Sequence, residues 1–262
     1  MNGIVALVRY PLKSARGERL DAVDVEAGGF AGDRAWACID ERDGTVGSAK
    51  HPQLWGRLLD VGTELRDRLE LRVDGRTVVA GSVEADAALS GLLDRPIRLT
   101  REVPADAKLH RRLPDEEGMV PEWMSDVVAG QETVTAMSGG GRFVDFGAVH
   151  VVTTGALATL SERAGRTSVP IHRFRPNVVL DAPRDPEPGE ELRFGDVVLR
   201  VITPTPRCIV PGLEDGEAAV DRVLLGALAR HYRIPVPGLG RAACFGTYAE
   251  VVQPGRLRVS VD

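Results

Sequence analysis

The chain has 262 residues, of which 43% are hydrophobic and 27% charged, with a formal net charge of -5. This is the composition of an ordered globular protein with one large domain or two packed halves, and it lacks the overall basic field that draws in nucleic acid. Three cysteines, Cys38, Cys208 and Cys244, are too few for a disulfide framework or for an all-cysteine zinc or iron–sulfur site, and they point to a reducing, cytoplasmic setting.

The opening run "GIVALVRYP" is β-branched and ends in a tyrosine and a proline, which predicts a buried strand. Its apolar stretch, 4–8, is too short for a signal peptide or a membrane span, and no later stretch approaches that length. The expectation is an unanchored protein with no membrane partner. "AWACID" predicts a second strand, closed by a turn at Asp43 and Gly44. "LELRVDGRTVVAG" predicts a hairpin turning on Asp74 and Gly75. "VEADAALSGLLDRP" has helical spacing and stops before Pro96, and "IRLT" predicts a short strand.

Periodicity fades over 101–142, where Pro104, Pro114 and Pro121 recur. This predicts a long irregular connection between a β-rich domain at 1–100 and a second domain over the rest of 101–262. The glycine triplet 139–141 is not followed by Gly-Lys-Ser/Thr, so it is no phosphate-binding loop, and it reads as a flexible joint. Order returns with "AVHVVTTGALATLSERAG", a strand to about Val152 running into a helix capped by Thr153 or Thr154. Strands follow over "RFRPNVVLD" and "EELRFGDVVLRVITPTP", then a helix over "AVDRVLLGALARHYR". A last strand pair, "TYAEVV" and "RLRVSV", is expected to join at Pro254 and Gly255. Strands linked by hairpins more than by helices predict an α+β fold with barrel-like antiparallel sheets.

Several residue groups could carry chemistry. If "RFRPN" is extended, Arg173, Arg175 and Asn177 share one face, and three such donors suit phosphate or another polyanion. A solvated face with surface ion pairs fits the same pattern. Lys13 and Ser14 close the "YPLKS" strand end, and Arg34 stands in "GDRAW"; with the "RFRPN" donors they make a basic pocket in an acidic protein. In "TPTPRCIVPG", Pro206 disfavours helix at Thr205, so the segment is stiff and extended. Arg207 beside Cys208 favours the thiolate, which is both a nucleophile and a soft metal ligand. A buried structural cysteine is the other reading, and Cys38 and Cys244 are read that way. The five histidines show no metal-ligand spacing, no G-x-S-x-G elbow is present, and no G-x-G-x-x-G follows a strand.

"YPLKSARGERLDAVDVEAGGFAGDRAWACID" resembles the β-barrel-like domain that precedes MOSC domains. "RFRPNVVLD", "LRVITPTPRCIVP" and "FGTYAEVVQPGRLRV" resemble the MOSC domain itself, found at the C-terminus of molybdenum cofactor sulfurases and in the mitochondrial amidoxime-reducing component. The resemblance implies a barrel-like MOSC domain packed on a smaller β-rich N-terminal domain, with a molybdenum-molybdopterin cofactor between them. It implies cofactor contacts from Lys13, Ser14, Arg34, Thr153, Thr154, Arg173, Arg175, Asn177 and Arg207. It also implies a metal-binding thiolate on Cys208, with Asp145 lining the same site. The implied activity is an oxidoreductase acting on N-hydroxylated or related substrates, with electrons from an external ferredoxin- or cytochrome-type protein. Two alternatives stand beside it: a sulfur carrier with a Cys208 persulfide fed by a cysteine desulfurase, and a non-catalytic cofactor-binding module. Pro211 and Gly212 stand where many relatives carry threonines after the cysteine.

Overall fold

In the computed structural model, which describes residues 3–137 and 141–260, the first strand is paired on both edges. β1 (Ile4–Arg9) pairs with β2 (Glu18–Leu20) on one edge and with a strand some 170 residues downstream on the other, Ile4 facing Leu180. β3 (Ala22–Glu26) and β4 (Gly29–Phe30) form a small hairpin, followed by β5 (Ala37–Asp40). A short helix, α1 (Pro52–Trp55), starts on a proline, whose missing N–H costs nothing in a first turn. β6 (Gly62–Leu65), β7 (Leu69–Val73) and β8 (Arg76–Val79) make a meander. Its second turn is the expected one: Asp74 (φ 45°) and Gly75 (φ 78°) both take the left-handed backbone that matches strand twist. α2 (Val83–Leu93) begins where the Ser82 side chain accepts the Ala85 N–H, and it ends at left-handed Asp94, before Pro96. β9 (Ile97–Thr100) returns to pair with β5. Leu58, Leu71, Leu89 and the fully buried Trp55 form the core of this half.

The stretch 101–142 is more ordered than its prolines suggest. β10 (Lys108–Arg112) and β11 (Glu132–Ala136) pair antiparallel, Lys108 against Ala136 and Arg112 against Glu132. The two strands are five residues each and are held by each other across 19 residues of turns, a pairing that no local periodicity announces. Gly139 and Gly140 of the proposed joint lie outside the described residues.

β12 (Val149–Thr153) is wholly buried and runs into α3 (Thr154–Arg163), with Thr153 as its N-cap. β13 (Val178–Leu180) lies parallel to β12. β14 (Glu191–Phe194) and β15 (Val197–Pro206) form a hairpin. α4 (Arg222–His231), capped by Asp221, leads to β16 (Arg233–Val236), β17 (Gly240–Gln253) and β18 (Gly255–Arg258). The large sheet runs β14-β15-β17-β12-β13-β1-β2, with β16 added on β17.

Two sequence expectations change here. β18 does not fold back on β17 but pairs with β3. Only Pro254 separates the two strands, one residue short of the tightest hairpin loop, so the chain turns a corner onto another sheet. "RFRPN" is not extended either. Ile171–Phe174 is a 3-10 turn, and Arg175 is left-handed, with φ 55° and ψ 47°. Pro176 disfavours the right-handed helical region for Arg175, and this ends the turn there. The result is an α+β fold whose halves exchange strands. Ile4, Leu7, Val23 and Phe30 of the first half share one core with Val151, Leu180, Leu199 and Leu257 of the second.

Candidate functional site

Strand ends from both halves converge on a cavity of about 520 Å³. β1 delivers Lys13 and Ser14, the turn after β4 delivers Arg34, and the 3-10 turn before β13 delivers Arg175. The end of β15 delivers Arg207 and Cys208, and the loop before β12 delivers Asp145; all seven line the cavity. Seven cationic side chains and one carboxylate face it, in a protein of net charge -5.

The backbone is strained where the donors are. Of the five non-glycine residues with positive φ among the described residues, three line the cavity: Ser14 (67°), Arg34 (47°) and Arg175 (55°). The other two, Asp74 and Asp94, end a strand and a helix. A left-handed backbone costs on the order of 1 kcal/mol or more at a residue with a Cβ, so its clustering here marks a place that the rest of the fold holds in shape.

Tyr10 supplies much of that hold. Its buried ring lies 4.9 Å from the Arg34 guanidinium carbon and 4.3 Å from that of Arg175, a cation–π contact on each. Burial pushes its hydroxyl up to about 12, against the pull of the two arginines. Arg34 also donates to the buried Asp33 carboxylate, to Asn177 Oδ1 at 3.1 Å and to the Arg175 carbonyl at 3.3 Å. Arg175 donates to the Ala15 carbonyl at 2.6 Å.

Asp145 bridges two lysines, 2.8 Å from Lys13 and 2.9 Å from Lys50. Burial alone would raise its carboxyl, but Lys13 and Lys50 together hold it well below the usual carboxylate range. The carboxylate is therefore charged, and it partly offsets the crowding of cations. Lys13 also donates to the Phe143 carbonyl at 3.1 Å.

Cys208 is the one cysteine with exposed surface, whereas Cys38 and Cys244 are buried, and burial pushes the Cys244 thiol up to about 12. β15 can hold Pro204 and Pro206 because β14 pairs only with its first four residues, so no neighbour on that edge needs their missing N–H. The Arg207 N–H then donates to the Ala243 carbonyl at 2.8 Å, and its guanidinium donates to the Phe174 carbonyl at 3.1 Å. Both bonds fix the turn that presents the sulfur. His150 on β12 lines the same wall, its ring 5.5 Å from that of Tyr248. Burial, then Arg207 and Arg34, pull its pKa well below 6.5, so the ring is neutral.

Four residues named from the sequence do not line the cavity. Asn177 sits behind it, accepting from Arg34 and from the His150 N–H and donating to the Val8 carbonyl. Thr153 is fully buried as the α3 cap and donates to Asp185, and Thr154 donates to Asp181. Both stand at the far end of β12 from His150. Arg173 is buried and donates to the carbonyls of Pro211, Leu213 and Ala219, which organises the loop after Cys208. Pro211 and Gly212 turn away under α4, where a Cβ on Gly212 would sit 2.5 Å from Leu225. The sequence reading missed Tyr10, Asp33, Lys50, His150 and Tyr248. Tyr10 and Asp33 stood inside "YPLKS" and "GDRAW", His150 and Tyr248 stood inside the quoted strands of the second half without being singled out as site residues, and Lys50 stood in no quoted stretch.

A second cavity, of about 250 Å³, opens on the outer side of β1 and shares Arg175, Leu59 and Val210 with the first. Among the described residues no three His, Cys, Asp or Glu side chains group as a metal site. No helix among them is long and apolar enough to cross a membrane.

The family model for the MOSC N-terminal beta barrel domain matches residues 1–130, and that for the MOSC domain matches residues 140–261. Mitochondrial amidoxime reducing component 2 of Bos taurus is 25% identical over 275 residues, covering 95% of this chain and 79% of that protein. The protein of the same name from Rattus norvegicus is 26% identical over 123 residues, covering 45% of this chain and 36% of its own length. Among solved structures, the YuaD protein of Bacillus subtilis aligns with a TM-score of 0.46 and 12% identity, over 98% of this chain and 91% of that one.

Proposed function

Because the chain belongs to the MOSC family, with the MOSC N-terminal beta barrel domain ahead of a MOSC domain, we propose that the larger cavity binds a molybdenum-molybdopterin cofactor and that the protein is an oxidoreductase. The observation that carries this reading is one partly exposed thiol set among seven cations in a single cavity. The donor set fits such a group. Lys13, Arg34 and Arg175 offer N–H donors to a phosphate, and Ser14 adds a hydroxyl. The volume falls within the range of small-molecule sites. Cys208 would hold the metal of such a group through its sulfur.

When bound, the group supplies the electron-transfer chemistry at its metal. The protein's own part is binding and electrostatics. Arg207, fixed by its bonds to the Ala243 and Phe174 carbonyls, sets a guanidinium in the cavity next to Cys208. Tyr10 holds the Arg34 and Arg175 guanidinia in place before any ligand arrives. Asp145 stays ionised between Lys13 and Lys50, which limits repulsion among the cations. His150 stays neutral and adds no further positive charge. The substrates under this reading are N-hydroxylated or related compounds that lose an oxygen, with electrons from an external ferredoxin- or cytochrome-type protein.

Molybdenum analysis of protein from a cofactor-competent host tests the reading. Wild type should carry stoichiometric molybdenum and reduce an N-hydroxylated substrate with a chemical electron donor, and Cys208→Ala should lose that activity. Protein that takes up no molybdenum would sink the proposal. Metal-free protein that instead gains one sulfur on Cys208 from a cysteine desulfurase would assign the site to sulfur transfer.

A further inference from the structure

Among the described residues, one cation of the cavity has no oxygen partner. Lys13 and Lys50 share Asp145; Arg34, Arg175 and Arg207 each reach a carbonyl; Arg112 pairs with Asp115 at 3.0 Å. Arg111 has as its partner among the described residues only the Met124 thioether, Nη1 to Sδ at 3.3 Å, and a thioether is a weak acceptor. Its Nε is buried and has no hydrogen-bond partner among the described residues.

A second orphan lies beside it. Thr135 also lines the cavity, and its Oγ1 is buried with no partner. Arg111 on β10 faces Thr133 on β11, so Thr135, two residues on, is its diagonal neighbour on the same face of the ribbon. A guanidinium and a hydroxyl thus face the cavity from one two-stranded wall, both short of an acceptor. Buried donors without acceptors are rare and costly in folded proteins, and a pair on one wall points to an acceptor supplied from outside.

The surroundings narrow the acceptor. Leu113, Met119, Trp123 and Met124 line the same side of the cavity, and segment 118–124 is fixed there. Arg233 donates to the Gly118 and Val120 carbonyls, and Glu122 accepts the Arg241 N–H. One guanidinium plus one hydroxyl in apolar walls matches a single carboxylate on an apolar body better than a phosphate dianion. We infer that the β10–β11 wall binds the carboxylate of an amphipathic substrate, with Arg111 and Thr135 as specificity-determining residues. This rests on the reading above, in which the cofactor takes the part of the cavity that holds Cys208.

Phenylacetate and its neutral isostere phenylacetamide, titrated into molybdenum-loaded protein by calorimetry, test the inference. The acid should bind more tightly. Arg111→Met should weaken acid binding by roughly tenfold or more, as loss of a charge-assisted hydrogen bond implies, and Thr135→Val by less. Amide binding and molybdenum content should not change, and Arg111→Lys should keep part of the preference. Equal affinity of wild type for acid and amide would overturn the inference, as would parallel losses of both ligands in Arg111→Met. Loss of molybdenum from Arg111→Met would give the arginine to the cofactor phosphate and overturn it too. If Arg111→Met does not fold, the Arg111→Lys and Thr135→Val affinities decide. Wild type that holds no molybdenum but still prefers the acid would fail the cofactor reading and leave this one standing.

Discussion

His150 is a titratable ring held neutral among arginines, and this has a measurable sign. Its folded pKa lies well below 6.5. As pH falls below about 6.5 the unfolded chain therefore takes up a proton that the folded site refuses, and stability drops with it. The stabilisation is complete above the unfolded value and declines below it. Between pH 7 and about 5, above the range where carboxylates titrate, the melting temperature should fall, and His150→Gln should flatten that slope. An unchanged slope would show that the ring is not shielded from protons. Asn177→Ala removes a group that accepts from Arg34 and from the His150 backbone. It should lower stability by about 1–3 kcal/mol in denaturant unfolding, the cost of buried groups left unpaired, and loosen cofactor retention as well. At this scale the sequence was informative where motif and chemistry coincide. Lys13, Ser14, Arg34, Arg175, Arg207 and Cys208 meet in one cavity. Lys50 and Tyr248 carry no local signal, because what makes them site residues is the tertiary approach of a loop and of β17.

The elements show where a residue's chemistry was legible but its geometry was not. Thr153 offers a hydroxyl beside a cofactor motif, yet it is spent on the first turn of α3 and on Asp185. Thr153→Val should cost about 1 kcal/mol, as the loss of a helix cap does, with molybdenum content unchanged; a fall in metal content would return Thr153 to the binding site. Arg173 reads as a ligand donor while "RFRPN" is taken as a strand. In the 3-10 turn its guanidinium faces the loop after Cys208 instead. Arg173→Met strips the donor from three carbonyls, that of Pro211 buried, and should destabilise by about 1–3 kcal/mol. Faster proteolysis within 211–219 should accompany it. Helices α2, α3 and α4 and the β7–β8 hairpin were readable because caps and turn residues act within a few positions of themselves. The β10–β11 pairing and the docking of β18 on β3 depend on partners far along the chain.

For the whole molecule, the exchange of strands ties the halves together. β1 and β2 extend the sheet built from the second half, and β18 closes on β3. The large sheet and the β18-β3-β4 sheet are therefore each built from both halves. Thermal unfolding should be a single transition, and deletion of 255–262 should raise hydrogen exchange in β3 rather than in β17. Two resolved transitions would refute this coupling. The pattern of strands and hairpins foretold an α+β fold, but not that β1 and β18 would pair with strands far along the chain, since pairing partners are a property of topology. Net charge was equally silent about the cavity, where cations outnumber carboxylates against the average of the chain.

The two cavities share a partition to which Arg175, Leu59 and Val210 all belong, each facing both the site and the outer cleft. The guanidinium is thus a plug as well as a donor. Cutting it back to alanine should open a passage for water from the outer cleft to the inner end of the site. The damage from that change would be leakage: faster solvent exchange at the buried amides of β13, and a bound group exposed from the side that the fold keeps dry.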